Sequence, residues 1–95
     1  MATYQIASVT VTDPEGFAEY SKQAGEMVTR YGGRYLARGG EIEVLEGDWT
    51  PNRLVVIEWE SRDHAKRWYE SDEYQAIADI RWRCADTDLV LVDGL

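Results

Sequence analysis

Apolar and polar residues alternate along this chain in stretches of different period, and the changes of period mark its elements. Thr3 to Thr12 is rich in β-branched residues, which predicts a strand. Asp13-Pro14 stops it, because proline cannot continue a ladder but suits the first turn of a helix. Thr12 or Asp13 is the natural N-cap, and Glu15 adds negative charge at the positive end of the helix dipole. Phe17, Tyr20, Ala24, Val28 and Tyr31 then recur every third or fourth residue, one apolar helical stripe that Gly32-Gly33 ends. Arg34 to Arg38 is a short strand. Gly39-Gly40 follows it, either as a bulge in one longer strand or as the tight turn of a hairpin, and Ile42 to Glu46 resumes extended structure. Residues 47–52 form a loop by their turn composition, and Arg53 to Glu60 is the clearest strand. Ser61 caps a helix carrying Ala65, Trp68 and Tyr69. Ser71-Asp72-Glu73 restarts it with Tyr74, Ile77, Ala78 and Arg81 on one face, and Thr87 to Asp93 is the last strand.

The order strand, helix, strand, strand, helix, strand is the ferredoxin-like βαββαβ arrangement of an α+β protein. It implies a four-stranded antiparallel sheet with helices on one face, in a single domain spanning residues 1–95. The second face of such a sheet is polar in a monomer. Here Leu89 and Leu91 point one way and Val90 and Val92 the other, and Leu54 and Val56 oppose Val55, Ile57 and Trp59 in the same manner. Both faces are apolar, and alternation leaves open which one the helices cover. A second copy of the sheet, related by a two-fold axis, is the simplest cover, so a homodimer is expected.

Composition narrows the function. Ten Lys and Arg stand against eighteen Asp and Glu in 95 residues, a net charge of −8. That sign disfavours phosphate backbones and anionic membrane surfaces, so neither nucleic acid nor a membrane is an expected partner. Cys84 is the only cysteine and His64 the only histidine, which leaves no disulfide, no cysteine-rich metal site and no expected metal or cofactor. The N-terminus lacks the basic and apolar pattern of a signal peptide, and a cytoplasmic location is the default expectation.

Several segments carry a resemblance. They are YGGRYLARGG at Tyr31 to Gly40, EVLEG at Glu43 to Gly47, RLVVIEW at Arg53 to Trp59 and WYESDEYQ at Trp68 to Gln75. With Tyr4, Asp13-Pro14 and Tyr20, they resemble a bacterial family of small proteins built on a domain of unknown function, within the dimeric α+β barrel superfamily. The family places proline where this chain has Asp72, and aspartate is equally acceptable in a first helical turn. The superfamily includes monooxygenases and isomerases, so the resemblance implies a fold and a dimer more firmly than an activity.

Glu58 is the first candidate for chemistry. Alternation places it beside Leu54 and Val56, where a carboxylate must be paired or protonated, so it is either a general acid or base or half of a structural ion pair. Arg38 is the expected partner, as a substrate-carboxylate anchor or as the cation that neutralises Glu58. Arg34 and Arg53 at strand ends are weaker candidates. Tyr31, Tyr35, Tyr69, Tyr74 and Trp68 are the candidate lining of an aromatic pocket, and they serve equally well as filling for a thin core. His64 fits a solvated helix start better than a ligand to metal. Cys84 follows Arg81 and Arg83, which would lower its pKa, but it has no partner in sequence and fits a packed small residue. Two functions remain. One is a cofactor-independent enzyme, isomerase or monooxygenase-like, acting on a small planar or anionic metabolite at the sheet face. The other is a non-catalytic dimeric ligand-binding or accessory protein.

Overall fold

β1 runs from Thr3 to Val11, and its alternate residues Thr3, Gln5, Ala7 and Val9 are buried. The computed structural model describes residues 1–95. Asp13 caps the next helix by accepting from Gly16 N–H, Pro14 occupies its first turn, and α1 spans Pro14–Arg30. Phe17, Tyr20, Ala24, Met27 and Val28 form its buried stripe. Gly32, at φ +93°, turns the chain out of the helix in a conformation that side chains avoid. β2 is Arg34–Arg38 and β3 is Arg53–Trp59. Ser61 caps α2 (Arg62–Tyr69), Ser71 caps α3 (Asp72–Cys84), and β4 is Ala85–Asp93. The Ser71 cap explains why the second helical segment breaks at Glu70 and restarts.

The four strands form one antiparallel sheet in the order β2-β3-β1-β4, the ferredoxin-like topology expected from the element order. The helices lie on one face. Beneath them the core gathers Ala7, Val9, Ile57 and Trp59 from the sheet against Val28, Trp68 and Tyr74 from the helices. Trp68 is its centre, with ring centroids 4.1 Å from Tyr74 and 5.5 Å from Trp59. No helix is long and apolar enough to cross a membrane.

The opposite sheet face carries Tyr4, Ile6, Leu54, Val56, Val90 and Val92. Ile6 pairs with Val56 on one side and Val90 on the other. Val90 and Val92 remain about half exposed, at 55% and 47%. Leu89 and Leu91 belong to the helix side, across from Ala7 and Gln5. The question left open by alternation is thereby answered. The chain measures 35 × 33 × 16 Å, one sheet and one helix layer with an apolar face uncovered.

Two expectations about the middle of the chain are corrected. The bulge is not at Gly39-Gly40. It lies at Leu36, between the pairs Tyr35↔Ile57 and Ala37↔Val56. Gly39, at φ +71°, ends β2 instead, its N–H donating to Leu54 O at 3.0 Å. Nor do residues 42–46 form a strand. They belong to an irregular connection between β2 and β3, with Leu45 and Trp49 well exposed, because no strand lies beside them to complete a ladder.

Candidate functional site

Three arginines from three elements converge on one cavity between the helices and the sheet. Its floor is Ala7, Val9, Val55 and Ile57, and its roof is Phe17, Tyr20 and Ala24 of α1. Trp68, Tyr74 and Tyr35 close its sides. Arg38, Arg53 and Arg81 all reach it, and none of the three is in an ion pair. The free volume is about 50 Å³. Bulk water takes roughly 30 Å³ per molecule and drug-sized pockets about 300 Å³ or more, so this space suits a ligand of a few heavy atoms.

Each guanidinium is set by its surroundings. Arg38 donates from Nη2 to Ser21 O and to Ser21 Oγ at 3.0 Å, and it stacks 4.5 Å from the Tyr35 ring. Arg53 lies 5.3 Å from the Phe17 ring, with a buried Nε that has no partner. Arg81 is the most enclosed at 6% exposed, and its Nε also has no partner. Trp68 Nε1 is a third buried donor without an acceptor. Two glycines make this arrangement possible. A Cβ on Gly25 would stand 2.8 Å from Arg38 Nη1, and one on Gly39 would stand 2.7 Å from Arg53 Cζ. The backbone thus leaves space for guanidinium groups where side chains would fill it.

Between the arginines the hydroxyls of Tyr20 and Tyr74 share a hydrogen bond of 2.6 Å. Burial pushes both phenols up in pKa, as it does Tyr35, so all three stay protonated at neutral pH. One hydroxyl of the pair must donate to the other, and the second keeps a proton to give. No Asp, Glu, His or Cys lines the cavity. Its lining is mostly apolar, and the charged groups set in it are all cations, in a chain whose overall charge is −8.

The residues singled out in the sequence divide accordingly. Arg38, Tyr35, Tyr74 and Trp68 line the cavity. Glu58 does not, and its expected pairing with Arg38 is corrected: Arg34 takes Glu58 at 2.6 Å on the open sheet face, while Arg38 faces the helices. The bulge at Leu36 is the reason. One extra residue reverses the alternation, so Arg38 shares a side with Tyr35 and no longer with Leu36. Tyr31 lies outside the cavity and donates to Glu73 at 3.3 Å. Tyr69 borders a separate shallow groove with Ala65 and Leu91. His64 contacts Ser61 Oγ at 2.7 Å through Nδ1, a local capping contact. Burial and then the Asp13 carboxylate push the Cys84 thiol up in pKa, against the lowering its arginine neighbours suggested. In the sequence Arg53 reads as a strand-end charge and Arg81 as part of a helical face. The signal for Arg81 was its place on the same stripe as Tyr74, Ile77 and Ala78.

Comparison with known proteins agrees with this fold. A family model described as a domain of unknown function (DUF1330) matches residues 2–95. No curated protein matches the sequence. Among solved structures, a protein of unknown function from Rhodopseudomonas palustris superposes with a TM-score of 0.81 at 18% identity, over 99% of this chain and 82% of its own. SnoaB, a cofactor-independent oxygenase from Streptomyces nogalater, gives 0.71 at 16% identity, over 99% and 93%. A dimeric ferredoxin-like protein of unknown function from Thermobifida fusca gives 0.68 at 16% identity, over 97% and 90%.

Proposed function

The chain belongs to the DUF1330 family, and from that premise, which brings a fold and no reaction, we propose that it is a cofactor-independent enzyme acting on a small anionic metabolite in the cavity between helices and sheet. The observation that carries this reading is the convergence of Arg38, Arg53 and Arg81, all without carboxylate partners, on one small space. A buried cation costs much of its hydration free energy and is ordinarily paired. Arg81 is buried, Arg53 half-buried and Arg38 exposed, and an anion in the cavity would offset both the hydration Arg81 has lost and the repulsion among them. SnoaB, of similar fold, is a cofactor-independent oxygenase, which is consistent with chemistry at such a site without a bound helper.

The lining sets what the chemistry can be. With no carboxylate, imidazole or thiol in the cavity, the protein supplies no ordinary general base. It supplies a positive field. A substrate with an acidic carbon next to a carbonyl would lose its proton to water more readily there, because the enolate formed is stabilised by the guanidinium groups. The free hydroxyl proton of the Tyr20–Tyr74 pair can hydrogen-bond the developing enolate oxygen. Return of a proton to a different carbon gives an isomerase. Attack of the enolate carbon on dioxygen gives a hydroperoxide, and loss of water from it leaves a new carbonyl, a monooxygenase-like reaction in which dioxygen is the oxidant and the substrate itself is oxidised. Glu58, held by Arg34 on the other face, takes no part in this scheme. The same absence of a base favours the second reading, a non-catalytic protein that binds its anion.

Deuterium exchange separates the two. Small 2-oxo and 3-oxo carboxylates incubated with the protein in D₂O are expected to exchange their acidic C–H at least tenfold faster than in buffer, read by proton NMR. Arg38→Gln is expected to remove the acceleration. Binding of these acids without accelerated exchange would discard catalysis and keep the ligand-binding protein.

Gly25→Ala probes the same site from behind. Alanine in a helix interior normally stabilises by about 1 kcal/mol over glycine. Here the new Cβ meets the far end of a flexible side chain, so α1 keeps its course and the Arg38 guanidinium moves. The expected result is a melting temperature at or above wild type with carboxylate affinity several-fold weaker. A lower melting temperature with unchanged affinity would make Gly25 a matter of helix packing alone.

We also infer that a second copy covers the apolar sheet face. The Thermobifida fusca protein of similar fold is dimeric, which supports this assembly.

A further inference from the structure

We propose that the ligand of this cavity is a short planar dicarboxylate, one carboxylate held by Arg38 and Arg53 and the other by Arg81. The inference rests on the anion-binding reading above and goes on to the number and placement of the charges. The three cations do not form one cluster. Arg38 lies on β2, an edge of the sheet, and Arg53 on the adjoining β3. Arg81 comes from the last turn of α3, which packs on α1 and runs directly into β4, the opposite edge. In the order β2-β3-β1-β4, β2 and β4 are the two edges of the sheet. The outer grooves divide the same way: Arg38 and Arg53 border one with Lys22 and Ser21, whereas Arg81 borders one with Asp86, Thr87 and Asp88, none of them in an ion pair with it.

The tyrosines report the same order from within. Tyr35 lies in the field of Arg38 and Arg53, Tyr74 in that of Arg81, and Tyr20 between them in the fields of Arg81 and Arg38. A single carboxylate gripped by Arg38 and Arg53 leaves Arg81 buried and unpaired. A compact phosphate has the same defect, since its charges sit on one atom's oxygens. Two carboxylates on a short body satisfy both ends, and they give acceptors to the orphaned Nε groups of Arg53 and Arg81. The body is short because the free volume is about 50 Å³. It is flat because rings wall it: Phe17, Tyr35, Trp68 and Tyr74. The Tyr20–Tyr74 hydroxyl pair also lines the cavity, where an oxygen on the body would meet it.

Isothermal titration calorimetry in low-salt buffer tests this with three probes: fumarate, monomethyl fumarate and inorganic phosphate. The ester keeps the flat body and masks one charge. Fumarate is expected to bind at least tenfold tighter than the ester or phosphate, and Arg81→Gln is expected to bring fumarate down to the affinity of the ester for wild type. Equal affinity for fumarate and the ester, or phosphate as tight as fumarate, overturns the two-ended site while leaving an anion site in place. If no probe binds at millimolar concentration, the anion reading falls and this inference with it. Should Arg81→Gln fail to fold, the wild-type comparison of fumarate with its ester decides alone.

Discussion

Arg81→Met should make the ligand-free protein more stable and, at the same time, a weaker binder of dicarboxylates. Arg81 is 6% exposed, is in no ion pair and has an Nε without a partner. Burial therefore removes most of its hydration and returns little. Methionine has a similar length and adapts to irregular space, and its transfer into the same site carries no charge penalty. Replacing buried ionic groups by apolar ones of similar volume often gains about 1–4 kcal/mol even where the ions were paired. For a domain of this size each kcal/mol shifts the melting temperature by roughly 4–8 °C. The expected result is a rise of at least several degrees by thermal melt without ligand. Millimolar fumarate should raise the wild-type midpoint by clearly more than that of the variant. A fall in the midpoint by a comparable amount would show that the guanidinium is well satisfied where it lies and that Arg81 is a structural residue. A gain in stability on removing a residue is the mark of one retained for binding or chemistry.

Arg81 also shows how far the sequence could be read. Its position on the apolar stripe of α3 was visible, and an arginine among Tyr74, Ile77 and Ala78 is a departure from a helix that only packs. What could not be read was its company. Arg38 and Arg53 are 15 positions apart in sequence and meet because β2 and β3 pair antiparallel across the long connection between them. The element boundaries came through because caps and glycines act locally: Asp13, Ser61, Ser71 and Gly32 each stand where a helix begins or ends. The faces did not come through, for two physical reasons. One residue of bulge at Leu36 reverses the alternation of β2, which separates Arg38 from Glu58 and brings Arg34 to it. And in a sheet with two apolar faces, period-two alternation says which side chains share a side but not which side the helices take. The features that hid the helix face, Val90 and Val92 opposite Leu89 and Leu91, are also the ones that call for a second copy of the chain.

Ile6→Asp is expected to break the proposed sheet-on-sheet dimer while leaving the protomer folded. Ile6 is central on the open face, between Val56 on β3 and Val90 on β4. In the free protomer it is only half-buried, so an aspartate there stays in contact with water and the helix-side core of Ala7, Val9 and Trp59 is untouched. In a sheet-on-sheet dimer the same carboxylate is buried against apolar side chains. A two-fold axis also introduces it twice, with like charges facing one another across a thin interface. The penalty for an unpaired charge in such a place is several kcal/mol per ion. Since 1.4 kcal/mol is tenfold in an equilibrium constant, the dissociation constant should rise by about a thousandfold or more. Size-exclusion chromatography with light scattering reads the assembly and circular dichroism the fold. A folded monomer is the expected pair of results, with melting at lower temperature because the apolar row of Leu54, Val56, Val90 and Val92 is then left in water. A folded dimer as tight as wild type would mean that the sheets do not meet face to face and that some other surface joins the copies.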